Sequence, residues 1–329
     1  MRRLATIGSL TVLATGLLFA QATPVTTGFM HAIHATNTLE KTAEFYKEVF
    51  GLSSAIRPFA NAAVAVLNNA PGVTLKVSML NLPGQGMNFE LTEFGNVERH
   101  PGAPRLSDPG APNMKFLVRS IDTVAGNVKR VGARILTRSG APVVATTMLG
   151  KTKAIFFTDP DGYIVEAIEA TPAPDAPAGN VVGAIMGVTV GDMDKSMKFW
   201  RDTLGFELTG DPKFSTDPAV LDLMGIEKGG SFRSVSGVVP NSKARIEFTE
   251  FKGMPRAPFS LKTVDPGACG MALRVSRIGE LLEKLKADGI RVSSRNGELV
   301  EWSETLRNVF IKDPDGLNLE LVGNADPTK

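Results

Sequence analysis

The sequence predicts an α+β protein built from four β-α-β-β-β units in two fused halves, and three internal correspondences carry that prediction. First, residues 30–52 (MHAIHATNTLEKTAEFYKEVFGL) read as a short apolar strand running into an amphipathic helix, and the pattern returns over residues 186–206 (MGVTVGDMDKSMKFWRDTLGF). Phe45-Tyr46 then corresponds to Phe199-Trp200 and Gly51 to Gly205, at an offset of 154. Second, residues 244–251 match 87–94, and residues 265–271 match 108–114, both at an offset of 157. Third, Asp159-Pro160-Asp161-Gly162 recurs as Asp313-Pro314-Asp315-Gly316. A repeat of this length is a property of the architecture, so it precedes any reading of single residues.

The elements follow in chain order. Residues 1–22 begin with Arg2-Arg3, continue through an almost wholly apolar run from Leu4 to Ala20, and end in Ala20-Gln21-Ala22. That is the pattern of a cleaved secretory signal, and it predicts a mature start at Thr23, a periplasmic or secreted protein and no membrane anchor after cleavage. In the first unit, Leu39, Phe45, Tyr46, Val49 and Phe50 share one helical stripe, with Lys41, Glu44, Lys47 and Glu48 mostly outside it. Gly51 supplies the left-handed residue at the helix end. Strand character follows at 53–59, 74–80 and 88–94, the last after the turn sequence 83–86. A Pro-rich loop, 100–112, leads to the second unit. This comprises a strand from Met114, a helix carrying Val124, Val128 and Val131, and strands near 135–137, 154–158 and 163–168. Residues 171–180, with three prolines and no large apolar side chain, read as a linker. The expected division is therefore a first domain over 27–170 and a second over 181–323, each of two units.

Composition narrows the function classes. The 329-residue chain is too long for one comfortable core. It is 43% hydrophobic and 21% charged, ordinary for a globular protein. Lys+Arg number 36 and Asp+Glu 34; loss of Arg2 and Arg3 leaves 34 of each, a mature net charge of zero. With no basic run and no glycine-rich phosphate loop, nucleic acid is not an expected partner; a small molecule is. The single cysteine, Cys269, excludes an internal disulfide and reads as a buried thiol. Phe45, Tyr46, Phe199 and Trp200 read as core.

FYKEVFGL and FWRDTLGF after the first strands, with FFTDPDGYIVEAIE and VFIKDPDGLNLEL at the ends of the halves, resemble the vicinal oxygen chelate superfamily. That superfamily includes glyoxalase I, bleomycin-resistance proteins and extradiol dioxygenases. The resemblance covers nearly the whole mature chain, and it implies paired units whose sheets curl into cups. It also implies metal ligands at the start of a unit's first strand and at a glutamate on its last strand. Carried over by position, these are His31, Glu90, Asn113 and Glu166 in the first half. The second half offers Ile185, Glu247, Gly270 and Glu320, where Ile185 and Gly270 have no ligand atom.

Two readings stay open. One is a divalent-metal-dependent lyase or isomerase of glyoxalase type, its ion Zn, Ni, Mn or Fe, with Glu90 and Glu166 as the catalytic carboxylates that move a proton. The other is a metal-free protein that sequesters a small molecule, as bleomycin-resistance proteins do. A ring of two histidines and one carboxylate, as oxygen-activating iron enzymes use, is not available, which argues against an extradiol dioxygenase. His34 lies an odd number of residues from His31, so a regular strand points it to the packed face. His100 reads as a solvated loop residue. Two pairings are open as well: unit one with unit two, or unit one with unit four, which would bring His31 and Glu90 towards Glu320.

Overall fold

Each unit forms where the sequence alternation and its turn residues agree. The computed structural model describes residues 25–325, apart from 85–86, 175, 177, 211–212 and 228. The expected signal segment, 1–22, lies outside the described residues. Unit one comprises β1 (Thr26–Ala35), α1 (Leu39–Phe50), β2 (Arg57–Phe59), α2 (Ala63–Leu67), β3 (Thr74–Leu82) and β4 (Met87–Gly95). Unit two comprises β5 (Pro112–Val118), α3 (Ile121–Arg130), β6 (Val143–Thr147), β7 (Gly150–Thr158) and β8 (Ile164–Glu169). Unit three comprises β9 (Val181–Val190), α4 (Met193–Met197), β10 (Glu207–Gly210), α5 (Pro218–Leu223), β11 (Ser231–Val238) and β12 (Arg245–Lys252). Unit four comprises β13 (Cys269–Val275), α6 (Ile278–Ala287), β14 (Val300–Glu301), β15 (Leu306–Lys312) and β16 (Asn318–Asn324).

The α1 stripe is buried as its spacing requires, with Leu39, Phe45, Tyr46, Val49 and Phe50 all inside. Gly51 caps the helix at φ 73°, its N–H bonded to the Lys47 carbonyl. Three boundaries differ from the sequence reading. The strand expected over 53–59 shortens to β2, an edge strand in which Pro58 has no N–H to donate. Of 135–137 only Ile135 bridges, to Phe157, and the edge strand forms later, at β6. The helices α2 and α5, each of one turn or little more, arise from AVAVL and PAVLDL, runs too short for periodicity to declare.

The pairing is the main architectural result. One eight-stranded sheet runs β14-β15-β16-β13-β1-β4-β3-β2 and the other β10-β11-β12-β9-β5-β8-β7-β6. Unit one therefore shares a sheet with unit four, the outer pair, and unit two with unit three, the inner pair. The sheets do not follow the two sequence halves: the 27–170 and 181–323 segments each contribute one unit to both. At the centre of each sheet two first strands run antiparallel, β1 against β13 and β5 against β9. Each first strand also pairs in parallel with its own unit's last strand. One face of both sheets, with the helices, forms a single core that includes Tyr46, Phe89, Phe116, Phe157, Trp200 and Phe248. The opposite faces form two cups. Among the described residues no helix is long and apolar enough to cross a membrane.

Candidate functional site

The register places one nitrogen-bearing side chain at the centre of each cup. In the outer cup His31 on β1 stands opposite Ala272 on β13. Glu90, beside Ile33 on the neighbouring β4, and Glu320, beside Ala272 on β16, flank it from the two sides. In the inner cup Lys115 on β5 stands opposite Ile185 on β9. Glu166 on β8 and Glu247 on β12 flank it in the same way. The same topology thus builds two triads, His31-Glu90-Glu320 and Lys115-Glu166-Glu247.

The four ligands carried over from the family pattern are consequently divided. His31 and Glu90 share the outer cup, whereas Asn113 and Glu166 lie in the inner one. Pairing of unit one with unit four is the reason, and Glu320 takes the place expected for Glu166. Asn113 faces Gly187 across the β5/β9 pair, and its side chain lies where a Cβ would be: one built on Gly187 would fall 2.3 Å from Asn113 Oδ1.

In the outer cup His31 Nε2 is 3.0 Å from Glu90 Oε2 and 3.9 Å from Glu320 Oε2. The nitrogen is buried, yet it makes no aligned hydrogen bond. Burial pushes the His31 pKa down, but Glu90 and Glu320 more than offset this, and it sits above the usual histidine value. Glu320 is held above the usual carboxylate range by burial and by Glu90, against the pull of His31. Asn308 Nδ2 donates to Glu320 Oε1 at 2.6 Å, which fixes the carboxylate and leaves Oε2 towards His31. One imidazole nitrogen and two carboxylate oxygens converging without saturating each other are a donor set suited to a divalent ion. The His31, Glu90 and Glu320 side chains keep 17%, 18% and 11% of their surface exposed, so the set is reachable from solvent.

The inner cup carries its own cation. Lys115 Nζ lies 2.7 Å from Glu166 Oε2 and 3.0 Å from Glu247 Oε2, all three side chains buried. The two carboxylates raise the lysine pKa against burial. Burial, reinforced by Glu247, raises that of Glu166 despite the lysine. An ammonium between two glutamates occupies the position a metal would need. The sequence reading passed over Lys115, although the 157-residue offset that matches Asn113 to Gly270 also matches Lys115 to Ala272.

The remaining histidines serve the fold. Both register shifts in β1, between Thr26 and Gly28 and between Phe29 and His31, precede His31, so alternation from His31 to His34 is intact and His34 faces the packed side. It is fully buried, stacked on Tyr163, and its Nε2 is 2.9 Å from Asp159 Oδ2. His34, Asp159 and Asp161 are close enough together to hold an ion. Their lone pairs, however, are already engaged. Asp159 Oδ1 accepts the N–H groups of Asp161 and Tyr163, and its Oδ2 also takes the Tyr46 hydroxyl. Asp161 accepts the Asn37 N–H and the Thr42 hydroxyl. His34 Nδ1 lies 3.5 Å from Cys269 Sγ. A closed, saturated cluster with no open position is a structural tie between units one and two. Its counterpart confirms this: Asp315 accepts the Gly191 N–H and the Ser196 hydroxyl, although Val188 replaces His34 there. His100 is an exposed loop residue 3.3 Å from Glu98. Cys269 is a buried thiol, its pKa pushed up by burial.

Comparison with known proteins agrees with this architecture. The family model of the Glyoxalase/Bleomycin resistance protein/Dioxygenase superfamily matches residues 28–167 and 182–321. A lactoylglutathione lyase of Arabidopsis thaliana is 24% identical over 302 residues, covering 91% of this chain and 92% of the relative. One from Oryza sativa is also 24% identical over 302 residues, covering 90% and 89%. Glyoxalase I from Zea mays superposes with a TM-score of 0.57 at 21% identity, covering 90% of this chain and 92% of the maize chain. A Bacillus subtilis protein described as a putative dioxygenase gives 0.56 at 12%, covering 92% and 87%. With both repeats matched and both cups accounted for, the chain belongs to the Glyoxalase/Bleomycin resistance protein/Dioxygenase superfamily.

Proposed function

We propose that this protein is a metal-dependent lyase or isomerase of glyoxalase type whose single reactive centre is His31, Glu90 and Glu320 in the outer cup. The observation that carries the reading is the buried His31 Nε2, facing two carboxylate oxygens without an aligned hydrogen bond. The full-length lactoylglutathione lyase relatives support the reaction class.

His31, Glu90 and Glu320 would hold a divalent ion, which would supply a Lewis acid for negative charge developing on a small substrate. The chain's own residues do the rest. Glu90 or Glu320 takes a proton from the carbon beside a carbonyl and returns it to the neighbouring carbon, so that the net change is an isomerisation. Asn308 holds Glu320 in orientation through the transfer. Ile33, Leu67, Phe310 and Trp302 form an apolar patch that limits water on the same face. The inner cup takes no part, because the Lys115 ammonium already stands between its two carboxylates.

The test is metal-dependent stabilisation of the purified protein with Mn²⁺, Ni²⁺ or Zn²⁺. An ion that binds only the folded state adds about 3 kcal/mol at a hundredfold excess over Kd. His31→Ala and Glu320→Gln abolish that gain, whereas Glu166→Gln retains it. A gain that survives His31→Ala but is lost in Glu166→Gln would move the centre to the inner cup. Export belongs to the same proposal, on the basic start, apolar run and Ala20-Gln21-Ala22. Intact mass of the extracytoplasmic protein should begin at Thr23; a retained Met1 overturns it.

A further inference from the structure

We infer that a recess between the loops at the end of the outer sheet, beyond α2, binds the phosphate monoester of a small hydroxylated molecule through Lys262, Arg291 and Lys312. The site is independent of the reaction assigned to the outer cup.

Lys312 and Asn318 face each other at the end of β15 and β16, two residues beyond the Phe310–Glu320 pair. The short helix α2 packs its Leu67 with Ile33 and Phe310, between that end and His31. Past this apolar plug, the chain after α2 and the segments 260–263 and 291–297 enclose a recess of about 510 Å³, within the range of small-molecule pockets. Three cationic side chains line it and no carboxylate does. Lys312 is only 7% exposed, and its ammonium donates to the Leu261 carbonyl. Among the described residues no carboxylate lies within ion-pair distance of Lys262, Arg291 or Lys312. Burial and Arg291 push the Lys312 pKa down to about 8, although Asp313 and Asp265 pull the other way. Those two aspartates lie outside the recess: Asp265 accepts the His100 and Lys262 N–H groups, and Asp313 those of Asp315 and Leu317. A buried cation without a counter-ion is costly, and an anion in the recess removes that cost.

Three buried polar atoms among the lining residues select the rest of the ligand. Asn318, 5% exposed, donates from Nδ2 to the Cys269 carbonyl, which leaves Oδ1 without a partner. Asn68 donates from Nδ2 to the Val64 carbonyl, and its Oδ1 is equally unpartnered, as is Ser293 Oγ. Two amide acceptors and a hydroxyl suit the O–H groups of a sugar-like body, while the three cations suit a dianion. The fold does not require this polarity, because the equivalent place in the inner sheet lacks it. At the repeat offsets Thr158 replaces Lys312, Leu136 replaces Ser293 and Ile164 replaces Asn318, and Met224, which follows α5, replaces Asn68. Arg105, the counterpart of Lys262, is already paired with Asp108.

The full chain, kept in EDTA so that no metal enters the outer cup, is titrated calorimetrically with glucose 6-phosphate, inorganic phosphate and glucose. Glucose 6-phosphate should saturate one site per chain, bind about tenfold or more tighter than inorganic phosphate or glucose, and weaken as salt is raised. Lys312→Met and Arg291→Ser should each weaken it about tenfold or more. Arg291 is exposed and unpaired, so its replacement keeps the test valid if Lys312→Met does not fold. Asn318→Leu should weaken glucose 6-phosphate and leave inorganic phosphate unchanged, and His31→Ala should change neither. No saturable binding of glucose 6-phosphate, or binding that survives Arg291→Ser undiminished, overturns the site. Equal affinities for glucose 6-phosphate and inorganic phosphate mean an adventitious ion only and overturn the ligand class. Binding lost in His31→Ala overturns the location, placing the ligand in the outer cup.

Discussion

Replacing Lys115 with methionine tests whether the ammonium is what allows two carboxylates to remain buried in the inner cup. Methionine keeps much of the length and volume of the stem but leaves Glu166 and Glu247 without the group that lies 2.7 and 3.0 Å away. Breaking a buried ion pair from one side costs about 3–5 kcal/mol, because a charge stays behind. Protonation limits that cost. Neutralising one glutamate at pH 7.5, about three units above its ordinary value of 4.5, takes about 4 kcal/mol at about 1.4 kcal/mol per unit. At pH 5 the same step takes less than about 1 kcal/mol. The sign follows from linkage: a carboxylate whose folded pKa is raised binds its proton more tightly in the native state, so stability falls as pH rises above the unfolded value. Lys115→Met should therefore be close to wild type at pH 5 and about 4 kcal/mol less stable at pH 7.5, in urea unfolding followed by circular dichroism. Mn²⁺ should recover part of the loss by entering between the glutamates. The triple variant Lys115→Met, Glu166→Gln, Glu247→Gln should lose the pH dependence, since a neutral set needs no counter-ion. A deficit under about 1 kcal/mol at pH 7.5, or one independent of pH, would refute the reasoning.

Two further expectations concern the paired Asp-Pro-Asp-Gly turns. Burial, reinforced by Asp315, pushes the Asp313 carboxyl up to about 7, and its Oδ2 has no hydrogen-bond partner. Its contribution to wild-type stability should fall between about pH 4 and about pH 7, and Asp313→Asn should be more stable than wild type by about 2 kcal/mol at pH 8 and no more stable at pH 4; thermal unfolding across that range decides it. In the first copy His34 fills the equivalent space, and burial is outweighed there by Asp159, so its pKa lies well above 6.5. That stabilisation is complete below about pH 6.5 and declines as pH rises towards the folded value. His34→Ala should accordingly cost about 3 kcal/mol at pH 6, less at higher pH, and leave any metal-dependent gain intact; loss of that gain would make His34 a ligand.

The chain's repeats, helix stripes and turn residues were legible in its sequence because each is a local matter. The α1 stripe from Leu39 to Phe50 and its glycine stop need only helical periodicity and one left-handed residue. The opposite facing of His31 and His34 needs only strand alternation, which the register shifts before His31 leave undisturbed. The fold class followed from such local facts, whereas His31 and Glu90 as donors followed from the family resemblance, carried over by position. What tertiary structure alone decided is which units share a sheet. β1 and β5 each pair on one side with their own unit's last strand, and nothing local tells β1 to take β13 instead of β5 on the other side, over more than two hundred residues of intervening chain. That choice brings Glu320 to His31 and Glu247 to Lys115, while Glu166 stays beside Lys115 on its own unit's last strand. It turns four apparent ligands in one half into two different triads. Lys115 itself reads in sequence as a charged residue in an apolar strand; only the register against β8 and the neighbouring β12 shows that its partners are the two glutamates. A strand pattern specifies which face a side chain takes, but what it meets there depends on the strand alongside, and the strand alongside is chosen by the packing of the whole molecule.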